Sequence, residues 1–84
     1  MEPLDSIGYD PNRLIDELIA RLNLRNDASL ARELGVPREI ISKIRHRKRP
    51  IGAAMLIAMH EISGLSIADL RMIMGMPPKM IRGN

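Results

Sequence analysis

Residues 26–50, NDASLARELGVPREIISKIRHRKRP, read as two short helices joined by a tight turn and followed at once by positive charge. Asn26 or Asp27 can cap the first helix, because a short polar side chain there accepts from a first-turn amide that has no partner in the helix. Ala28, Leu30, Ala31 and Leu34 then fall largely on one face, since residues three and four apart are neighbours around a helix. Gly35 ends this helix in the left-handed conformation that glycine adopts at least cost. Val36-Pro37 restarts the chain, proline being tolerated in a first helical turn and nowhere deeper. In the second helix, from Pro37, Ile41 and Ile44 can point inward with Val36, which leaves Arg38, Glu39, Ser42, Lys43 and His46 facing out. A helix, a three-residue turn containing glycine and a second helix with a polar outer face make a helix-turn-helix layout, whose second helix fits the major groove of DNA.

The same punctuation recurs on either side. Asp10-Pro11 is a cap followed by proline at the first helical position, opening a helix from about Pro11 to Leu22 with Leu14, Ile15, Leu18, Ile19 and Leu22 as its apolar stripe. Past Pro50, the stretch from Gly52 to Ser63 is helical by periodicity, with Met55, Leu56, Met59 and Ile62 inward and Gly64 as terminator. Ser66-Ile67-Ala68-Asp69 is a variant capping box that starts a last helix running to about Met74. The expectation is an all-α protein, a compact bundle of about five helices. Residues 1–10 form an N-terminal extension, 11–74 the domain and 75–84 a flexible tail, in which Met76, Met80 and Ile81 could dock on a partner.

Composition narrows the classes. With 84 residues and no cysteine, the chain can bury one modest core without disulfides or thiolate metal ligands. Phe and Trp are absent and Tyr9 is the only aromatic residue, so stacking platforms for single-stranded nucleic acid or RNA are poorly supported. Met72, Ile73, Met74, Met76 and Met80 could make an adaptable apolar surface, or Met55, Met59 and Met72 merely fill a core that lacks aromatics. Apolar runs such as Ala53 to Met59 are too short to cross a bilayer, and Glu2 and Asp5 do not resemble a secretion signal, so a cytoplasmic location is expected. Positive charge is local: Arg38 to Arg49 holds six Lys or Arg and one acid, while the rest of the chain holds seven bases and nine acids. A basic patch beside a recognition helix is what counterion release from phosphate requires.

The segment from about Leu14 to Leu70 resembles the Cro and phage-repressor type of helix-turn-helix domain. The residues that carry the likeness are Leu30-Ala31 in the first motif helix, Leu34-Gly35-Val36 at the turn, Ile41-Ser42-Lys43-Ile44 in the second helix, and Gly64-Leu65-Ser66 before another short helix. The resemblance implies a lambda-repressor-like bundle that binds duplex DNA as a transcriptional regulator. Three positions depart from the pattern. Where the family usually carries Glu near the end of the recognition helix, paired with an Arg of the first helix, this chain has Arg45, with Ala20 near the matching position; Arg45 is left to pair with Glu17 or with a phosphate. The usual glycine after that helix is Arg47, and a non-glycine residue in a left-handed conformation costs about 1 kcal/mol, so a differently shaped turn is expected. The usual Gln at the start of the motif is Asp27, whose charge suits a helix N-terminus and opposes a nearby phosphate.

Docking geometry assigns roles. Arg38 and Glu39 sit in the first turn of the recognition helix, and Ser42 and Lys43 lie one turn further on the same face, so these four are candidates for base contacts. Arg or Lys suits the two acceptors of guanine and Glu accepts from the cytosine amino group, which points to sites containing G·C pairs. Equally open is a solvated pair of Glu39 with Lys43 at i+4. Arg45, His46, Arg47, Lys48 and Arg49 are candidates for phosphate contacts, as are the amides near Gly52 at the start of the next helix. Asn26 and Ser29 are lesser phosphate candidates, with capping as the competing role, and Arg25 stands beside them. His60 reads as a buried histidine with one hydrogen bond, and neither it nor His46 has a second ligand at helical spacing. With no nucleophile set and no Gly-rich phosphate loop, no enzyme activity, metal or cofactor is expected. The expected function is repression by promoter occupancy, with a possible homodimer through the last helix and tail. The alternative is a small protein-interaction module, antitoxin-like, that uses a Met-rich C-terminal surface.

Overall fold

Local chemistry sets five helices in the computed structural model, which describes residues 9–75: α1 (Pro11–Arg21), α2 (Asp27–Leu34), α3 (Arg38–Arg45), α4 (Ala53–Ser63) and α5 (Ile67–Ile73). No strand occurs among the described residues. Most of the extension at residues 1–8, and the tail at 76–84 with Met76, Met80 and Ile81, lie outside them.

The starts follow the side chains. Asp10 accepts the Asn12 amide at 3.0 Å ahead of Pro11. Asn26, rather than Asp27, caps α2, accepting the Ser29 amide at 2.9 Å. Ser66 Oγ accepts the Asp69 amide at 3.0 Å, and the Asp69 carboxylate receives the Ser66 amide at a longer 3.4 Å. Pro37 and Gly52 precede α3 and α4 without a side-chain cap.

The ends share one device, a residue of positive φ. Asn23 (φ 55°), Gly35 (74°), Arg47 (59°), Gly64 (77°) and Gly75 (88°) follow the five helices in turn. After α1, α2 and α3 the next amide reaches back to the helix: Leu24 to the Ile19 carbonyl at 2.8 Å, Val36 to Ala31 at 3.0 Å and Lys48 to Lys43 at 2.8 Å. Such a closure satisfies carbonyls that the helix leaves unpaired. Arg47 therefore does not reshape its turn, contrary to the expectation from its side chain; it occupies the left-handed position that glycine would take.

The helices enclose one core. α1 supplies Leu14, Ile15 and Leu18, α2 supplies Leu30, Ala31 and Leu34, α3 supplies Ile41 and Ile44, α4 supplies Leu56 and Met59, and α5 supplies Leu70. Ile51 and Met74, outside the helices, complete it. Each fully buried Leu, Ile or Met contributes about 1.5–3 kcal/mol by leaving water. Ile19, Met55 and Ile62 pack only at its rim, and Leu22, also expected inside, is half-buried. Met72 is not core filler, being 61% exposed, and Ile57 is 51% exposed. α1 packs on α2, α3 and α5, so it backs the α2–α3 pair as its apolar stripe requires. Its start is tied to the end of α5 by the Asp10 amide on the Met74 carbonyl (2.8 Å) and by Arg13 on the Ile73 carbonyl (3.4 Å). Among the described residues no single helix is long and apolar enough to cross a membrane.

Candidate nucleic-acid interface

Burying Ile41 and Ile44 fixes the rotation of α3 about its axis, and that turns Arg38, Glu39, Ser42 and Lys43 to solvent together. Among the described residues no hydrogen bond or ion pair holds any of these four side chains. The i+4 pair of Glu39 with Lys43 is thus not formed. Arg38, Glu39 and Ser42 line an open concavity whose other wall is the start of α2, with Arg25, Asn26, Asp27 and Ala28. The two helix starts are therefore presented side by side.

Asn26 and Ser29 are committed locally. The Asn26 side-chain Oδ1 takes both the Ser29 amide (2.9 Å) and the Ser29 hydroxyl (3.1 Å), which is the capping role. Arg25, Lys48 and Arg49 are exposed, with no partner among the described residues. Gly52 is exposed at the start of α4, and the space where a Cβ would stand is open. His46 donates Nδ1–H to the Ser42 carbonyl at 2.8 Å, folding its ring back along α3.

Arg45, a candidate for phosphate contact, is committed to partners inside the bundle. Its Nε and Nη2 hold both oxygens of Asp27 at 2.7 and 2.9 Å, its Nη1 donates to Asn12 at 2.8 Å, and its Nη2 also reaches Asp16 at 2.8 Å. Asn12 returns a bond to the Arg45 carbonyl at 3.1 Å. All three guanidinium nitrogens are engaged and only a quarter of the side chain is exposed, so the fold already uses most of what this cation could offer a phosphate. The hydrogen bond to Asp27, followed by Asp16, drives the guanidinium pKa further above its usual value despite the opposing cost of burial. Glu17, the other partner considered, pairs instead with Arg21 at 3.0 Å. Asp16 and Asn12 lie 29 and 33 residues from Arg45, separations that no local pattern covers.

Arg47 is also partly engaged. Its Nη1 donates to the Tyr9 carbonyl at 3.0 Å, its Nη2 lies 3.6 Å from Asp10, and its guanidinium stands 5.6 Å from the Tyr9 ring centre. At half exposure these contacts supply a modest cation–π attraction that offsets part of the left-handed backbone cost. The basic run thus divides into free cations, Lys48 and Arg49, and cations that staple α3 to its neighbours.

Among the described residues no group of three or more His, Cys, Asp or Glu could hold a metal ion. His60 is exposed rather than buried, because its ring lies along the surface to donate Nδ1–H to the Leu65 carbonyl at 2.7 Å. No family model matches the chain, and no curated protein or solved structure matches it.

Proposed function

We propose that this protein is a sequence-specific duplex-DNA-binding regulator of the helix-turn-helix type, with α3 entering the major groove. One observation carries the reading: Arg38, Glu39, Ser42 and Lys43 stand together on the outer face of α3, exposed and without internal partners, beside the start of α2. Side chains that the fold does not use cost no intramolecular bonds when they meet base edges. Lys48 and Arg49, with the amides at Gly52, flank that face as phosphate contacts. Occupancy of a promoter, and exclusion of polymerase from it, is the simplest action open to a domain that binds duplex DNA, and the expected place of that action is the cytoplasm. Met72 on α5 is 61% exposed, which suits a symmetric dimer that sets two recognition helices one helical turn apart.

Selection of bound sequences from a random duplex library tests the reading. Enrichment of one motif, containing G·C pairs and repeated as a palindrome if the protein dimerises, is the expected result. Failure to enrich any motif, together with recovery of a stoichiometric protein partner and no retained DNA at moderate salt, would replace it with the interaction module, for which exposed Ile57 and Met72 would be the first residues to mutate.

A further inference from the structure

The wall of the α2–α3 concavity contains a carboxylate, Asp27, next to Arg38 and Ser42. A bare negative charge there would repel the phosphates of a duplex seated on α3, at distances where salt screens it incompletely. Arg45 meets that carboxylate from inside the bundle with two bonds, at 2.7 and 2.9 Å, a bidentate geometry that holds opposite charges in register. Asp27 is one-third exposed and Arg45 one-quarter exposed, so the pair is presented to the concavity as a near-neutral unit. Asp16, the third charge of the group, is two-thirds exposed on α1 and is not among the residues lining the concavity, so water screens it.

We propose that Arg45 is a positioning residue of the DNA site that works by cancelling the Asp27 carboxylate, making the start of α2 tolerable to a phosphate without touching DNA itself. This rests on the DNA-binding reading above. The pair's charge is zero in the wild type, −1 in Arg45→Ala, +1 in Asp27→Asn and zero again in the double variant. Affinity for DNA should follow that charge, whereas stability should follow the number of bonds lost.

The test is the binding of wild type and the three variants to a random-sequence duplex across a salt series, with urea unfolding of each. Arg45→Ala should bind all duplexes about tenfold more weakly, and Asp27→Asn several-fold more tightly with a steeper salt slope. The double variant should return to within about twofold of wild type, although it has lost the same bonds. Asp27→Asn keeps Asn12 and Asp16 as partners for Arg45, so its arm decides the matter even if Arg45→Ala does not fold. If Asp27→Asn binds no better than wild type, or if a folded double variant keeps the full loss of Arg45→Ala, the inference is overturned: the first outcome makes the pair merely structural, the second makes Arg45 a phosphate ligand. Failure of the wild type to bind duplex DNA at low salt would overturn the DNA reading, and the inference with it.

Discussion

On the outer face of α3, Arg38 and Lys43 are exposed and hold no partner among the described residues, while at its C-terminal end Arg45 binds Asp27, Asp16 and Asn12, and Arg47 just beyond reaches back to Tyr9 and Asp10. The residue types are the same and the surroundings are not. No described residue packs on the outer face of α3, whereas its end packs against the first half of α1 and the start of α2, where two carboxylates and an amide converge. A run of positive charge is therefore not one surface. Each cation goes to whatever partner the helix rotation places within reach, and α3 is left with an outer face that the fold does not use and an inner edge that anchors it to α1 and α2.

Removing the support common to the outer face and the anchored edge has the largest expected effect. Ile44→Ala, beneath both, should destabilise by about 2–5 kcal/mol in urea unfolding and abolish any DNA binding with it. Arg45→Ala separates the anchored edge from the outer face: losing charge-assisted bonds to three side chains should cost about 1.5–3 kcal/mol of stability, where Lys43→Ala should change it by less than about 0.5 kcal/mol. Equal losses would erase the distinction. In binding assays the order reverses for sequence preference. Lys43→Ala or Arg38→Ala should cost about 1–3 kcal/mol at a selected site and relax its preference, while Arg49→Ala should weaken every duplex alike and lower the salt slope by about one. Uniform losses on specific and random DNA for all three would remove base readout from α3. The smallest effect concerns the left-handed turn. Arg47→Gly should be more stable than Arg47→Ala by about 1 kcal/mol, since both lose the Tyr9 and Asp10 contacts and only the alanine keeps the strained backbone.

Much of this architecture was legible residue by residue. Asp10-Pro11, Asn26, Gly35 and the Ser66–Asp69 box mark helix ends through bonds within four residues, and the alternation of Ile41 and Ile44 with Ser42 and Lys43 sets the two faces of α3. What misled was exposure at the margins. His60 sits at a helical position that suits a core and Met72 at one that suits core or surface, and periodicity cannot tell that no helix among the described residues covers them. Arg47 misled differently: its backbone conformation is costly alone, and the contacts that offset it come from Tyr9 and Asp10, three helices back along the chain.

The sequence by itself determined the five helices, their caps and the polar face of α3, because capping, glycine termination and helical periodicity act between near neighbours in the chain. Only the tertiary structure decided which cations that face retains. Arg45 meets Asp27, Asp16 and Asn12 across 18, 29 and 33 residues, and such a meeting depends on how α1, α2 and α3 pack, which no local spacing encodes.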